Sequence, residues 1–241
     1  MRPTIVLVHG AFAESSSWDG VIDRLLAKSD LRVVAAANPL RGLASDAAAV
    51  SDLVRSIEGP VVLVAHSYGG AVISNVDPDA GEIAGLVYVN AFVPEPGENC
   101  VQLAARFPGS MLRGDTTRAV PRRDGTTDLS IAPESFHDVF CQDVPPAPAA
   151  LMCATQRPVT QEALVEPSGE DPLWESVPSW FLMGEEDRII PVDLQRFMAG
   201  RAYTHAQRVV ALEHASHALA VSHPDAVVHP IFEAAAMRVT V

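Results

Sequence analysis

One serine, one aspartate and one histidine could together make a hydroxyl into a nucleophile. Ser67 lies in Ala65-His66-Ser67-Tyr68-Gly69, with a small residue two places to either side. This is the nucleophile-elbow pattern, with Ala replacing the first Gly of G-x-S-x-G. The turn is tight, and a larger side chain at either flank would collide with neighbouring backbone. A serine hydroxyl is inert until a base takes its proton, and the base must itself be oriented by a third group. The carboxylate can come from Gly184-Glu185-Glu186-Asp187-Arg188 or from Asp193, and the base from His214 or His217. Asp187 is favoured because it ends its turn just before Ile189-Ile190-Pro191. His217 is favoured because Ser216-His217-Ala218 falls in a loop beyond a strand end. The His214-x-x-His217 spacing lacks the H-E-x-x-H helix of a zinc site, so no metal is expected.

Acyl transfer also needs two backbone N–H groups aimed at the developing oxyanion. Tyr68, directly after the serine, supplies one. The loop His9-Gly10-Ala11-Phe12 supplies the other, with Gly10 letting the backbone turn in and Ala11 as the donor. His9 and His66 beside these turns read as hydrogen-bonded structural histidines.

The elements that must place these groups alternate. Ile5–Val8, Leu31–Ala37, Val61–Ala65 and Gly85–Phe92 read as buried strands, the first and third as unbroken apolar runs. Between them, helical spacing runs through Trp18, Val21, Ile22, Leu25 and Leu26 after the Ser15–Ser17 cluster. It recurs from Ser45 to Ile57, with Ser45 as the cap, and again after Gly70. Strand–helix alternation implies a parallel sheet, and reacting groups belong at the carboxyl ends of its strands. Ser67, Asp187 and His217 all fall just past such ends.

From Pro94 to Pro178 the rhythm breaks, with no clean strand and two helical patches, Pro133–Gln142 and Pro146–Thr155. About 85 residues here read as an insertion standing over the ligand-binding edge of the sheet. The sheet then resumes with strands Ser179–Met183 and Gln207–Leu212, a helix Pro191–Ala202, and a terminal helix from Ser222 that Pro230 should kink or break. The organisation expected is a core over 1–93 and 179–241 with a cap over 94–178.

Composition bounds the partners. With 241 residues and 48% hydrophobic residues, the chain can bury a large core. A net charge of −13 argues against nucleic acid and anionic membranes. Lys28 is the sole lysine, on the polar side of an early helix, which excludes Schiff-base chemistry. Cys100, Cys141 and Cys153 are an odd number without a C-x-x-C pair and read as reduced thiols. No apolar run is long enough to span a membrane, and the N-terminus runs straight into a strand without a signal peptide, so a cytoplasmic address is expected.

Four motifs together resemble a known family: His9-Gly-Ala-Phe12, the elbow His66-Ser-Tyr-Gly-Gly70, Glu186-Asp-x-x-Ile-Pro191, and Ser216-His-Ala with Ser222-His-Pro224. They are similar to the α/β-hydrolase superfamily, in the branch of small capped esterases that includes plant methylesterases and hydroxynitrile lyases. The order Ser, Asp, His along the chain is that of the superfamily. The resemblance implies an α/β-hydrolase fold: a mostly parallel sheet flanked by helices, with a mainly helical cap inserted after the sixth strand. It implies Ser67, Asp187 and His217 as the triad, Ala11 and Tyr68 as oxyanion donors, and no cofactor. Ser67 stands where haloalkane dehalogenases and epoxide hydrolases carry Asp, which argues against those reactions. Gly10 and Ala218 stand where hydroxynitrile lyases of this type carry Thr and Lys, so the cyanide-binding group is missing. The expected activity is hydrolysis of a carboxylic ester or lactone of a small to medium, largely apolar substrate. Phe12, Phe92, Phe136, Phe140, Met152 and Trp174 are candidates to line the pocket, though a residue of each type is more often ordinary core than a substrate contact. The arginines Arg113, Arg118, Arg122 and Arg123 could attract a carboxylate or simply be solvated. A binding protein on the same fold, or perhydrolase or cofactor-free oxygen chemistry on the same scaffold, is the alternative.

Overall fold

The chain alternates strand and helix until Ala91 because its apolar runs can be buried on two faces at once. The computed structural model describes residues 1–237. Strands β1 (Thr4–Val8), β2 (Val33–Ala36), β3 (Val61–Ser67) and β4 (Ile83–Ala91) are followed, after a long interruption, by β8 (Ser179–Gly184) and β9 (Ala206–Leu212). All six pair in parallel, in the order β2-β1-β3-β4-β8-β9. Successive side chains point to opposite faces. Ile5, Leu7, Val62, Val64, Val87 and Val89 thus pack towards helices α1 (Asp19–Lys28) and α10 (Pro224–Ala236). Val6, Val8, Leu63, Ala65, Leu86 and Tyr88 pack on the other side, under α2 (Leu43–Arg55), α3 (Tyr68–Ser74) and α8 (Val192–Arg201).

Several boundaries differ from the pattern. The Ser15–Ser17 cluster forms a single 3₁₀ turn, Ser15–Trp18, and α1 starts only at Asp19. Helix α2 begins at Leu43, two residues before Ser45. Its first free N–H, on Leu43, is taken by the Glu166 carboxylate from the inserted segment. That partner lies 123 residues away. The terminal helix is two: α9 (Leu219–Ser222) and α10, which runs through Pro230 without a break. The buried Pro230 ring belongs to the packed face, and packing outweighs the one missing N–H.

The interruption between β4 and β8 holds α4 (Cys100–Ala104), the hairpin β5 (Thr117–Pro121) and β6 (Thr127–Ile131), and helices α5 (Pro133–Phe140) and α6 (Pro146–Thr155). The two-residue strand β7 (Val159–Thr160) and α7 (Gln161–Val165) complete it. The expectation of no strand here is corrected: β5, β6 and β7 form an antiparallel sheet. These strands are short, β5 is largely exposed, β6 is half-buried and β7 has only two residues, so none carries the apolar alternation that announces a buried strand. The interruption also follows the fourth strand of this chain and not the sixth, since only β8 and β9 of the main sheet come after it. Among the described residues no helix is long and apolar enough to cross a membrane.

Candidate active site

Strand β3 delivers Ser67 at its last position, directly before α3. Its backbone is forced to φ +55° and ψ −125°, a conformation that costs on the order of 1–3 kcal/mol in a non-glycine residue. The small residues around it are a steric necessity. A Cβ on Gly69 would lie 2.6 Å from the Val8 carbonyl oxygen, and one on Gly10 would lie 2.5 Å from the Cβ of Ser67 itself.

The turn after β8 carries Asp187 and the loop after β9 carries His217. The two side chains meet, with His217 Nδ1 2.8 Å from Asp187 Oδ2, and both are buried. The other carboxylate oxygen accepts the N–H groups of Ile189 at 2.8 Å and Ile190 at 2.9 Å. Gln195, on α8, donates to Oδ2 at 3.0 Å. An acceptor-only carboxylate facing Nδ1 requires that nitrogen to carry the proton, which leaves Nε2 with a lone pair. His217 Nε2 is buried and has no hydrogen-bond partner among the described residues. The competing groups are placed elsewhere. Glu185 and Asp193 pair with Arg196, while Glu186 pairs with the exposed His214.

His66, directly before Ser67 in the chain, packs on His217. Its Nε2 donates to the His217 carbonyl at 2.9 Å, and the two imidazole rings lie 4.5 Å apart. Burial, with the His217 ring as a second cause, holds His66 well below the usual histidine range, so it is neutral at pH 7. His9 is lowered by burial too, and its Nδ1 lies 2.9 Å from the Gly10 carbonyl.

On the opposite side, the turn after β1 brings Ala11 and Phe12 to the serine. The Phe12 N–H is spent on the Arg157 carbonyl of the inserted segment at 3.2 Å. The Ala11 N–H makes no hydrogen bond among the described residues. Tyr68 opens α3, so its N–H has no carbonyl of its own helix to bond. Its hydroxyl is engaged behind the site, donating to the buried Asp46 at 2.9 Å. Burial, then the Asp46 charge, raise the Tyr68 pKa, and burial raises that of Asp46.

Ala11, Phe12, Ser67, Tyr68 and Phe92 line one side of a cavity of about 260 Å³. Cys100, Val101, Ala104, Leu112 and Leu164 of the inserted segment line the other. Among the described residues no charged side chain reaches the wall. Burial pushes the Cys100 thiol up to about 12, so it too is neutral.

Four of the aromatic and sulfur candidates lie outside this cavity. Phe136 and Phe140 stack on each other, and the Phe140 ring meets the His217 ring edge-on at 5.0 Å. Trp174 donates its indole N–H to the Pro94 carbonyl, and Met152 packs against the core from α6. For Phe136 and Phe140 the reason is helix orientation: α5 turns its apolar face to His217 and not to the cavity. Arg113, Arg118 and Arg122 pair with Asp115, Glu134 and Asp128 outside the cavity wall. Arg123 is exposed and also off the wall. Among the described residues no group of three or more His, Cys, Asp and Glu could hold a metal ion.

Gln195 and the α4 wall were not singled out from sequence. For Gln195 a signal existed, an amide on the apolar face of α8 between Leu194 and Met198. For Cys100, Val101 and Ala104 none did, since a five-residue helix shows too little periodicity to assign a face.

Known proteins carry the same arrangement of elements. The chain is 26% identical over 257 residues to an α/β hydrolase, nvfD, of Aspergillus novofumigatus, with 98% of this chain and 97% of that one covered. It is 28% identical over 249 residues to a pyrethroid hydrolase of Sphingobium wenxiniae, covering 92% of this chain and 83% of that one. A methylesterase from Arabidopsis superposes with a TM-score of 0.74 at 16% identity, over 96% and 98% of the two chains. The family model of the α/β hydrolases matches residues 5–229, and the chain belongs to that family.

Proposed function

We propose that the protein is a serine hydrolase that cleaves a carboxylic ester or lactone through an acyl-enzyme. The observation that carries this reading is the buried Asp187–His217 pair with an unpartnered Nε2, packed on the ring of His66, which directly precedes the strained Ser67 in the chain. Ser67 attacks the acyl carbonyl while His217 Nε2 takes the hydroxyl proton, and Asp187 stabilises the imidazolium that forms. The neutral His66 adds no repulsion to that charge. The oxyanion is received by the N–H groups of Ala11 and Tyr68. His217 then protonates the leaving alcohol, water enters, and the same steps in reverse order of roles release the acid. The cycle needs no cofactor.

The cavity supports a substrate class. A wall without charge and a volume near 260 Å³ suit a neutral, small to medium, largely apolar ester. The activities named for the pyrethroid hydrolase and the methylesterase agree with ester chemistry. Residues 94–178 act as the cap that closes over it, contributing Cys100, Val101, Leu112 and Leu164 to the wall.

The test is covalent labelling. A fluorophosphonate should form one adduct, on Ser67, and Ser67→Ala should lose both the adduct and turnover of p-nitrophenyl acetate, by roughly 10⁴-fold or more. Undiminished turnover in Ser67→Ala would remove the nucleophile assignment. Absence of an adduct on the native protein would favour a binding protein on this fold.

A further inference from the structure

Asn90 is fully buried near the carboxyl end of β4 and has a backbone φ of +45°. The ladder shows why. Along β3, His66 faces Val89 and Ser67 faces Ala91, so Asn90 is one extra residue on β4, a bulge beside the nucleophile. A bulge re-aims a side chain, and this one is turned across the sheet. Its Oδ1 accepts the N–H of Gly184 at 2.6 Å, and its Nδ2 donates to the carbonyls of Ser216 at 2.8 Å and His217 at 3.1 Å. Gly184 is the last residue of β8, three before Asp187. The β4–β8 backbone ladder has already ended at Val89 and Leu182, so the amide side chain takes over where backbone pairing stops.

We propose that Asn90 is the positioning residue of the Asp187–His217 pair. One planar amide holds the strand end that launches the acid and the peptide that carries the base. The proposal rests on the hydrolase reading of that pair given above. Few side chains meet both demands. The left-handed backbone region is tolerated best by Gly, Asn and Asp. Of these, Gly offers no side-chain bonds. Asp offers the acceptor for Gly184 but sets an oxygen against two carbonyl oxygens. Asn alone supplies an acceptor on one side and a two-hydrogen donor on the other.

Asn90 does not hold the base loop up alone. His66 also donates to the His217 carbonyl, Asp143 accepts the Ser216 N–H at 3.0 Å, and the Phe140 carbonyl accepts the Ala218 N–H at 3.1 Å. Without the amide the loop stays attached but loses its fixed distance to the Asp187 turn, so the defect falls on alignment.

Asn90→Asp and Asn90→Gly test this with two readouts. In the native protein the His217 Nδ1–H bonded to Asp187 should give a far-downfield proton NMR signal, assigned by its absence in His217→Gln. In both Asn90 variants that signal should shift or broaden away while circular dichroism and a cooperative melt show a folded chain. Turnover of p-nitrophenyl acetate should lose about ten- to a hundredfold in kcat, with KM within about twofold, as a misaligned base predicts. A folded variant with the native signal and kcat within about twofold of native overturns the proposal. So does failure of both variants to fold, which would make Asn90 a residue of the fold and not of the pair. If the native protein neither turns over esters nor labels on Ser67, the hydrolase reading fails, and the imidazole signal still decides whether Asn90 sets the pair.

Discussion

The main sheet and the segment between β4 and β8 build the same cavity by opposite means. In the sheet, a backbone ladder ends on Ser67, and Gly10, Asp187 and His217 sit in the turns and loops that leave its neighbouring strands, where side chains have almost no room to differ. A Cβ on Gly10, Gly69 or Gly184 would fall within 2.6 Å of a neighbouring atom, in two of the three cases a backbone carbonyl oxygen. In the segment the elements are short, and they are held by links that reach far along the chain. Arg41 binds Asp128 of the β5–β6 hairpin, and Arg201 binds Glu98 beside α4. Gly114 and Gly125 there have open space around them. Where positions come from a ladder, chemistry is rigid and sequence is constrained. Where they come from side-chain ties, the wall of the pocket can change without moving Ser67, Asp187 and His217.

This contrast can be broken at three points. The largest effect should come from Gly10→Ala, which drives a methyl group into Ser67 and the His66 carbonyl, 2.8 Å away. Overpacking of this kind costs about 1–3 kcal/mol of stability, and on the proposed mechanism displacement of Ser67 should lower kcat/KM by roughly a hundredfold or more. Native-like kinetics in that variant would mean the elbow is looser than its ladder implies.

Acidification gives the next effect. His9 and His66, both under the sheet end of the site, are held below the usual histidine range by burial. The unfolded chain takes up protons there from about pH 6.5 downwards while the folded chain refuses them, so stability falls as pH drops from 7 to 5. The slope contributed is at most about 1.4 kcal/mol per pH unit for each histidine. Urea unfolding at pH 7, 6 and 5 reads it, and a flat profile would show that one or both imidazoles accept a proton in place. The smallest effect should come from Gly114→Ala. With nothing within 4 Å of the added methyl, unfolding free energy and turnover should both stay within about 0.5 kcal/mol of native. A loss as large as that of Gly10→Ala would erase the distinction between the two regions.

How much of this was legible follows the same division. The four strands up to Ala91, the elbow, and the Asp187 and His217 loops were readable because buried parallel strands announce themselves as apolar runs and motifs sit at their ends. What was missed depends on partners remote in sequence. The N-terminus of α2 is capped by Glu166, which no local pattern around Ser45 can reveal. The hairpin β5–β6 is exposed along most of β5, so its residues carry no alternation to read. Phe136 and Phe140 were sensible candidates for the cavity by type, but a helix has two faces and α5 shows its aromatic one to His66 and His217.

Three stitches described above run from the inserted segment to the loops that carry Ala11 and His217: Arg157 to Phe12, Phe140 to Ala218, and Asp143 to Ser216. Two of the three use a main-chain carbonyl, which every amino acid possesses. Selection on those two seams therefore acts on where the chain runs and not on which residue runs there. A lineage could exchange every side chain that the inserted segment turns to the pocket, and with them the shape of the wall, while the seams stay sewn. The same economy suits a library: randomise Val101, Ala104, Leu112 and Leu164 and leave the path of residues 140–143 and 157 untouched.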